Sequence, residues 1–261
     1  MLLIFLAAGS GKRLMPLTRS IPKCLVKLHG ISLLERNLRE WLSVSDFEPL
    51  IIAGHKSEEI KKLGFKTLLN KEYESTNMVW TLARSLENIK ANKSDFIYIS
   101  YGDVVISSRN ITALVKKNEP FNLIIDLQWK KLWQMRMENV LDDAETLRFN
   151  EKGIYEIGKR PKNLNDIQGQ YTGVIKIKKY LLIDLLEEYL NKINSLKKSK
   201  EINNLKNIFF TDFINFYIDK GNYPNPVFIN GGWLEIDTLK DLEVISNEFN
   251  KNPIFSDLRD K

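Results

Sequence analysis

The sequence predicts an α/β protein built on a doubly wound sheet. Three observations predict it. Residues 2–6 form a fully apolar run, the pattern of a central parallel strand buried on both faces. Short apolar runs then alternate with helical patterns through the first half of the chain. A glycine-containing loop directly follows the first run, at the end of a strand where open α/β sheets bind ligands.

The elements follow in order. Ser32 and Glu35 form an S-x-x-E capping pattern ahead of Leu33, Leu34, Leu38 and Leu42, which predicts a helix over 32–42. A strand over 49–53, a helix over 57–63 and a strand over 65–69 come next. Asn77 reads as the N-cap of a helix carrying Val79, Leu82, Ala83 and Leu86. A fourth strand over 95–101 ends at Gly102 and Asp103, followed by a helix over 110–117 and a strand over 122–126. The second half changes character: a hairpin over 146–157 turning at Glu151-Lys152-Gly153, a strand over 172–177 and a long amphipathic helix over 179–196. Residues 196–207 are polar and read as a mobile loop. Helix 209–217, a short strand over 233–237 and a final helix over 239–249 complete the chain, with no internal repeat.

Bulk properties narrow the function. The 261 residues are 43% hydrophobic and 28% charged, ordinary for a soluble globular protein. The single cysteine, Cys24, excludes an intramolecular disulfide and fits a reducing cytoplasm. The opening apolar run, residues 1–8, has no basic residue and is too short for a signal core or a membrane span. Net charge is +6, but Lys is scattered among Asn and Glu, with runs such as Lys197, Lys198 and Lys200. That spread argues against a nucleic-acid footprint and for solvated surface that also attracts anionic substrates. His29 and His55 stand alone, without the partners of a catalytic triad or a zinc site.

The strongest motif is Leu6-Ala7-Ala8-Gly9-Ser10-Gly11-Lys12-Arg13-Leu14. Glycines let backbone N–H groups approach a polyphosphate, and Lys12 and Arg13 add positive charge. The run fails the Walker A test, because Leu6 stands where the first Gly belongs and Arg13 where Ser or Thr does. It fails the dinucleotide fingerprint too, because Leu14 occupies the third Gly position. Pro16-Leu17-Thr18 and Ile21-Pro22-Lys23-Cys24-Leu25 follow, and Lys23, fixed behind a Pro, can reach back to the same phosphates.

This ordered set resembles the signature of the sugar-phosphate and choline-phosphate nucleotidyltransferases. The resemblance covers about residues 1–249 and, through Gly54-His55-Lys56, Asn70-Lys71-Glu72-Tyr73 and Asn77-Met78-Val79-Trp80-Thr81-Leu82, is closest to the phosphocholine and phosphonate cytidylyltransferase branch. It implies a mixed, Rossmann-like sheet of the GT-A-like kind with a small β-rich acceptor subdomain. The chain would then be one domain, with a nucleotide half to about 125, an acceptor half over about 126–235, and 236–261 closing a metal site. Leu6, Ala7, Ala8, Gly9, Ser10, Gly11, Lys12 and Gly102 would hold CTP, and Arg13 and Lys23 would neutralise charge during transfer. Asp103 and Asp237 would bind Mg²⁺, against plain capping or solvated roles. Glu235 shares a strand face with Asp237 and ranks below it. Asn77 is either a residue beside the base or only a cap.

The acceptor would be a small zwitterionic phosphate or phosphonate of the L-glutamine phosphate, 2-aminoethylphosphonate or phosphocholine class. Trp129 and Trp133, four apart, would share a helix face and could box an ammonium, or both could be core. Arg136 suits a carboxylate, and Glu145, like Asp142, an amine. Gln170 stands where relatives often carry Glu, which removes a charge from the acceptor wall. The product would feed capsule or cell-surface polysaccharide decoration. Two rivals remain: a sugar-1-phosphate uridylyl- or thymidylyltransferase, and a non-catalytic nucleotide sensor on the same fold. The expectation is a cytoplasmic monomer or homodimer that binds neither nucleic acid nor membrane.

Overall fold

The structure is a computed structural model that describes residues 1–259. In chain order the first half runs β1 (Leu2–Ala7), a small hairpin of β2 (Lys27–Leu28) and β3 (Ile31–Ser32), α1 (Leu33–Val44), β4 (Glu48–Ala53), α2 (Ser57–Lys61), β5 (Lys66–Leu69), α3 (Met78–Ala83), α4 (Leu86–Ala91), β6 (Phe96–Tyr101), β7 (Val104–Ile106), α5 (Ser108–Val115) and β8 (Phe121–Asp126). Then come α6 (Trp129–Arg136), the hairpin β9 (Leu147–Asn150) and β10 (Gly153–Ile157), β11 (Gln170–Lys178), α7 (Lys179–Ser195), α8 (Ser199–Lys206), α9 (Phe210–Ile218), β12 (Asn225–Ile229), β13 (Trp233–Glu235) and α10 (Leu239–Glu248).

Seven strands form one sheet in the order β12-β8-β11-β6-β1-β4-β5. β1 pairs parallel with β4 and β6, while β11 runs antiparallel to both β6 and β8. The doubly wound sheet is mixed, as the resemblance implies, with β11 the strand that runs opposite to its neighbours. β1 is buried at every position, which explains its unbroken apolar run. Its residues alternate between two cores. Leu3, Phe5 and Ala7 face one layer, with Trp41 of α1; Leu2, Ile4 and Leu6 face the other, with Leu182 and Tyr189 of α7. Each such buried Leu or Phe contributes about 1.5–3 kcal/mol. Trp41 is held by edge-on packing against Phe47 at 4.9 Å and Tyr98 at 5.8 Å.

Three local expectations are corrected. Residues 196–207 are not a polar loop: 199–206 form α8, whose Ile202 and Leu205 pack against the α7 core. The Lys- and Asn-rich composition masked that i,i+3 apolar pair. The helix begun at Asn77 stops at Ala83 and restarts at Leu86, because the Ser85 Oγ donates to the Leu82 carbonyl at 2.6 Å and competes with the helical ladder. At α1, Ser32 accepts the Glu35 N–H at 3.2 Å as a cap, but the Glu35 carboxylate pairs with Arg39 rather than closing the box.

Candidate active site

The site lies beyond the carboxyl ends of β1 and β6. After Ala7 the chain turns through the glycine loop. Gly11 has φ 62, and a Cβ there would meet Thr18 Cγ2 at 2.9 Å and Lys23 Cβ at 3.0 Å. Only glycine allows this loop to close against the Lys23 segment without a shift. The Thr18 hydroxyl donates to the Gly11 carbonyl at 2.8 Å and pins the closure. Pro22 is extended and delivers Lys23 into a short turn, Lys23–Leu25, that points the ammonium back to the loop.

Lys23 Nζ donates to both Asp103 and Asp237. Asp103 follows β6 and Asp237 follows β13, so β7 and β13, paired antiparallel, bring the two carboxylates together. Burial lowers the Lys23 pKa, but Asp103 and Asp237 outweigh it, and the net shift is upward. Burial likewise raises the Asp237 pKa, and Lys23, Arg13 and Arg136 overcome that, so it is lowered overall. Arg13 reaches Asp237 Oδ1 at 3.2 Å from a largely exposed position. Asp237 is not the cap of α10. Thr238 is, with its Oγ1 accepting the Asp241 N–H at 3.0 Å.

Arg136 is a correction to the acceptor set. Its side chain is wholly buried and grips Asp241 with two N–H groups, at 3.1 and 3.2 Å, and Glu235 at 2.6 Å. Asp241 in turn accepts the N–H groups of Asp237 and Thr238 at 3.0 and 2.9 Å. Arg136 thus holds the segment that carries Asp237. Glu235 is occupied by this contact; burial pushes its pKa up to about 7, with Arg136 opposing. Trp129 is a second correction. It is buried, packs edge-on to Trp133 at 5.9 Å and does not line the cleft. Trp133 also packs on Trp233 at 5.9 Å, and only it reaches the cleft.

Two cavities meet here. One, behind the loop, is lined by Leu6, Ala7, Ala8, Gly9, Asn77 and Gly102, and by Tyr73, Thr76, Thr81 and Tyr101, which were not among the candidate site residues. The other, of about 560 Å³, is lined by Gly9 to Arg13, Lys23, Asp103, Asp237, Trp133, Glu145 and Gln170. That volume lies within the range of small-molecule sites. Asp143, Tyr171 and Phe209 line it as well. Tyr101 adjoins the Gly102-Asp103 motif and Tyr171 adjoins Gln170, so both had a sequence signal; Phe209, 60% exposed, had none. Asn77 caps α3, its Oδ1 accepting the Met78 N–H at 2.8 Å, and also lines both cavities. Gln170 Nε2 donates to the Glu145 carbonyl at 2.7 Å. Burial, then Asp143 and Asp212, raise the Glu145 carboxyl from 4.5 to about 7. Cys24 is buried, and His29 and His55 bond separate backbone carbonyls, of Ser246 and Thr18. No described helix is long and apolar enough to cross a membrane.

The glycine loop thus closes against Lys23, whose ammonium is shared by two carboxylates from distant parts of the chain. The sequence profile of the MobA-like NTP transferase domain matches residues 3–130. The chain is 32% identical over 249 residues to the CTP:phosphoglutamine cytidylyltransferase of Campylobacter jejuni subsp. jejuni serotype O:2, spanning 92% of this chain and 97% of that protein. Two solved structures superpose with TM-scores of 0.67 at 17% identity. They are the CTP:phosphocholine cytidylyltransferase of Streptococcus pneumoniae (94% of this chain, 97% of that one) and a putative glucose-1-phosphate thymidylyltransferase of Bacillus anthracis (97% and 96%). The chain belongs to the nucleotidyltransferase family, together with the Campylobacter enzyme as a full-length relative. The two structures establish the fold alone, and because their nucleotides differ the fold does not choose the base. Enzymes of this family generally use a divalent metal.

Proposed function

We propose that the chain transfers CMP from CTP to a small zwitterionic phosphate or phosphonate, of the L-glutamine phosphate, 2-aminoethylphosphonate or phosphocholine class, with release of pyrophosphate. The observation that carries this reading is the convergence of Asp103 and Asp237 on one ammonium at the mouth of the glycine loop. The full-length likeness to a CTP-dependent enzyme supports the nucleotide.

The donor set fits Mg²⁺. Two carboxylates already share a single cationic partner, and Mg²⁺ takes one or two carboxylates and keeps several waters. Bound by Asp103 and Asp237, the ion would supply positive charge to the phosphates. The rest is the work of the chain itself. The loop from Gly9 to Lys12 binds the triphosphate, and Gly102 and Asn77 border the nucleoside. An acceptor phosphate oxygen, already ionised near neutral pH, attacks the α-phosphorus in line. The bond from that phosphorus to the bridging oxygen breaks, and pyrophosphate leaves with the electron pair. Lys23 and Arg13 offset the charge that builds on the phosphates. On the far wall Glu145, Gln170 and Trp133 position the acceptor, with Glu145 facing its ammonium. The nucleotide half, to about 125, and the acceptor half, about 126–235, work as one unit closed by 236–261, whose last two residues lie outside those described.

Pyrophosphate release is the test, with CTP offered against phosphocholine, 2-aminoethylphosphonate and phosphoglutamine. Turnover with at least one is expected. Turnover only with UTP or dTTP and a hexose phosphate would overturn the reading.

A further inference from the structure

The cavity behind the loop has a wall whose hydrogen-bond polarity is set by a residue that does not line it. Asn70 is fully buried. Its Oδ1 accepts the Glu72 N–H at 3.0 Å, which fixes the orientation of the amide. Both remaining hydrogens are then committed, Nδ2 donating to Thr76 Oγ1 at 3.1 Å and to Thr81 Oγ1 at 3.0 Å. Each hydroxyl has one proton and two lone pairs. Thr76 gives its proton to the Glu72 carbonyl at 2.8 Å, and Thr81 gives its proton to the Asn77 carbonyl at 3.1 Å. Toward any third partner both hydroxyls can only accept. Neighbouring backbone donors are used as well: the Asn77 N–H goes to the Lys206 carbonyl at 2.9 Å and the Met78 N–H to Asn77 Oδ1 at 2.8 Å. Thr76 and Thr81 both line the cavity.

We propose that Asn70 orients the Thr76 and Thr81 hydroxyls as an acceptor-only edge that selects a pyrimidine bearing an exocyclic amine over one bearing a carbonyl there. Cytosine offers an amine donor at that ring position, whereas uracil and thymine offer an acceptor. Two acceptors facing each other leave a hydrogen bond unmade in a buried place, which costs more than the bond itself contributes. Asn70 is a positioning residue in this scheme, and α8 takes part through the Lys206 carbonyl that consumes the Asn77 N–H. The inference rests on the cytidylyl reading and goes further, naming what enforces it.

Calorimetric titration of the full chain with CTP and with UTP tests it without knowledge of the acceptor. Wild type is expected to bind CTP at least about tenfold more tightly than UTP, the worth of one hydrogen bond. In the near-isosteric double variant Thr76→Val with Thr81→Val, the preference should fall to within about threefold through weaker CTP binding. Asn70→Ala should produce the same collapse, because threonine side chains no longer held by the Asn70 amide can rotate away from the Glu72 and Asn77 carbonyls and offer a proton to uracil. If Asn70→Ala does not fold, the threonine variant alone decides. A CTP preference that survives intact in the threonine variant overturns this inference and leaves the cytidylyl reading standing. Wild type that binds UTP as well as CTP, or binds neither, overturns the cytidylyl reading and this inference with it.

Discussion

Lys23 is held by carboxylates 80 and 214 residues away in the chain. Such a pairing keeps the ammonium charged at any working pH, since the two acids outweigh the burial that opposes charge. Lys23→Ala and Asp103→Asn should each lower turnover by at least about a hundredfold, as expected for a lost charge-stabilising contact. Thermal unfolding run alongside separates chemistry from folding, and near-normal turnover in both variants would exclude the two residues from the reaction. Glu145 makes a pH-dependent prediction. Its ordinary pKa of 4.5 is raised to about 7, by burial first and then by Asp143 and Asp212. Between those values the folded chain keeps a proton that the unfolded chain releases, so stability falls as pH rises through the window. Urea unfolding at pH 5 and pH 8 should show a smaller drop in Glu145→Gln than in wild type. An equal drop in both would show that Glu145 is not the group responsible.

At the scale of elements, α6 and α8 were the least legible in the sequence. The spacing of Trp129 and Trp133 correctly predicts one helix face, but that face turns inward because Trp233 of β13 is there to receive it. Arg136, one turn on, follows it into the interior and meets Asp241 and Glu235. Arg136→Met leaves those acids buried without their partner, so a loss of about 3–5 kcal/mol is expected in denaturant titration. A loss under about 1 kcal/mol, the worth of an exposed pair, would mean that other groups hold the Asp237 segment. In α8, Ile202 and Leu205 become an apolar face only when α7 lies beneath them, and Lys206 then bonds Glu72 at 2.8 Å and stacks on Trp80 at 4.1 Å. The strands read from the sequence lie within a residue or two of the observed ones, because an apolar run bounded by polar residues depends on local pattern, but the short β7 and the edge strand β12 were not among them.

For the molecule as a whole, the site is assembled from both ends of the chain. Segments after β1, β6 and β13 meet only once the sheet is complete. Ligands that bind across this junction should therefore stabilise the whole fold. CTP at about a hundred times its Kd should add about 2.7 kcal/mol. Mg²⁺ should increase the shift in Tm beyond what either ligand gives alone, and EDTA should abolish turnover until Mg²⁺ is restored. A Tm shift with CTP that is indifferent to Mg²⁺ would remove the metal from Asp103 and Asp237.

The glycine loop and Lys23 behind its proline were readable in the linear sequence, because each belongs to a short motif whose chemistry depends on adjacent residues, whereas the acids at 103 and 237 were singled out only through the family resemblance. Burial is different, for it belongs to surfaces that exist only after the chain has closed on itself. Tertiary structure alone settled that β11 runs against its neighbours, that Trp129 and Arg136 face inward, and that Asn70 directs two hydroxyls it meets only within the folded 70–81 segment. Each of those outcomes was decided by partners that the linear pattern does not place side by side.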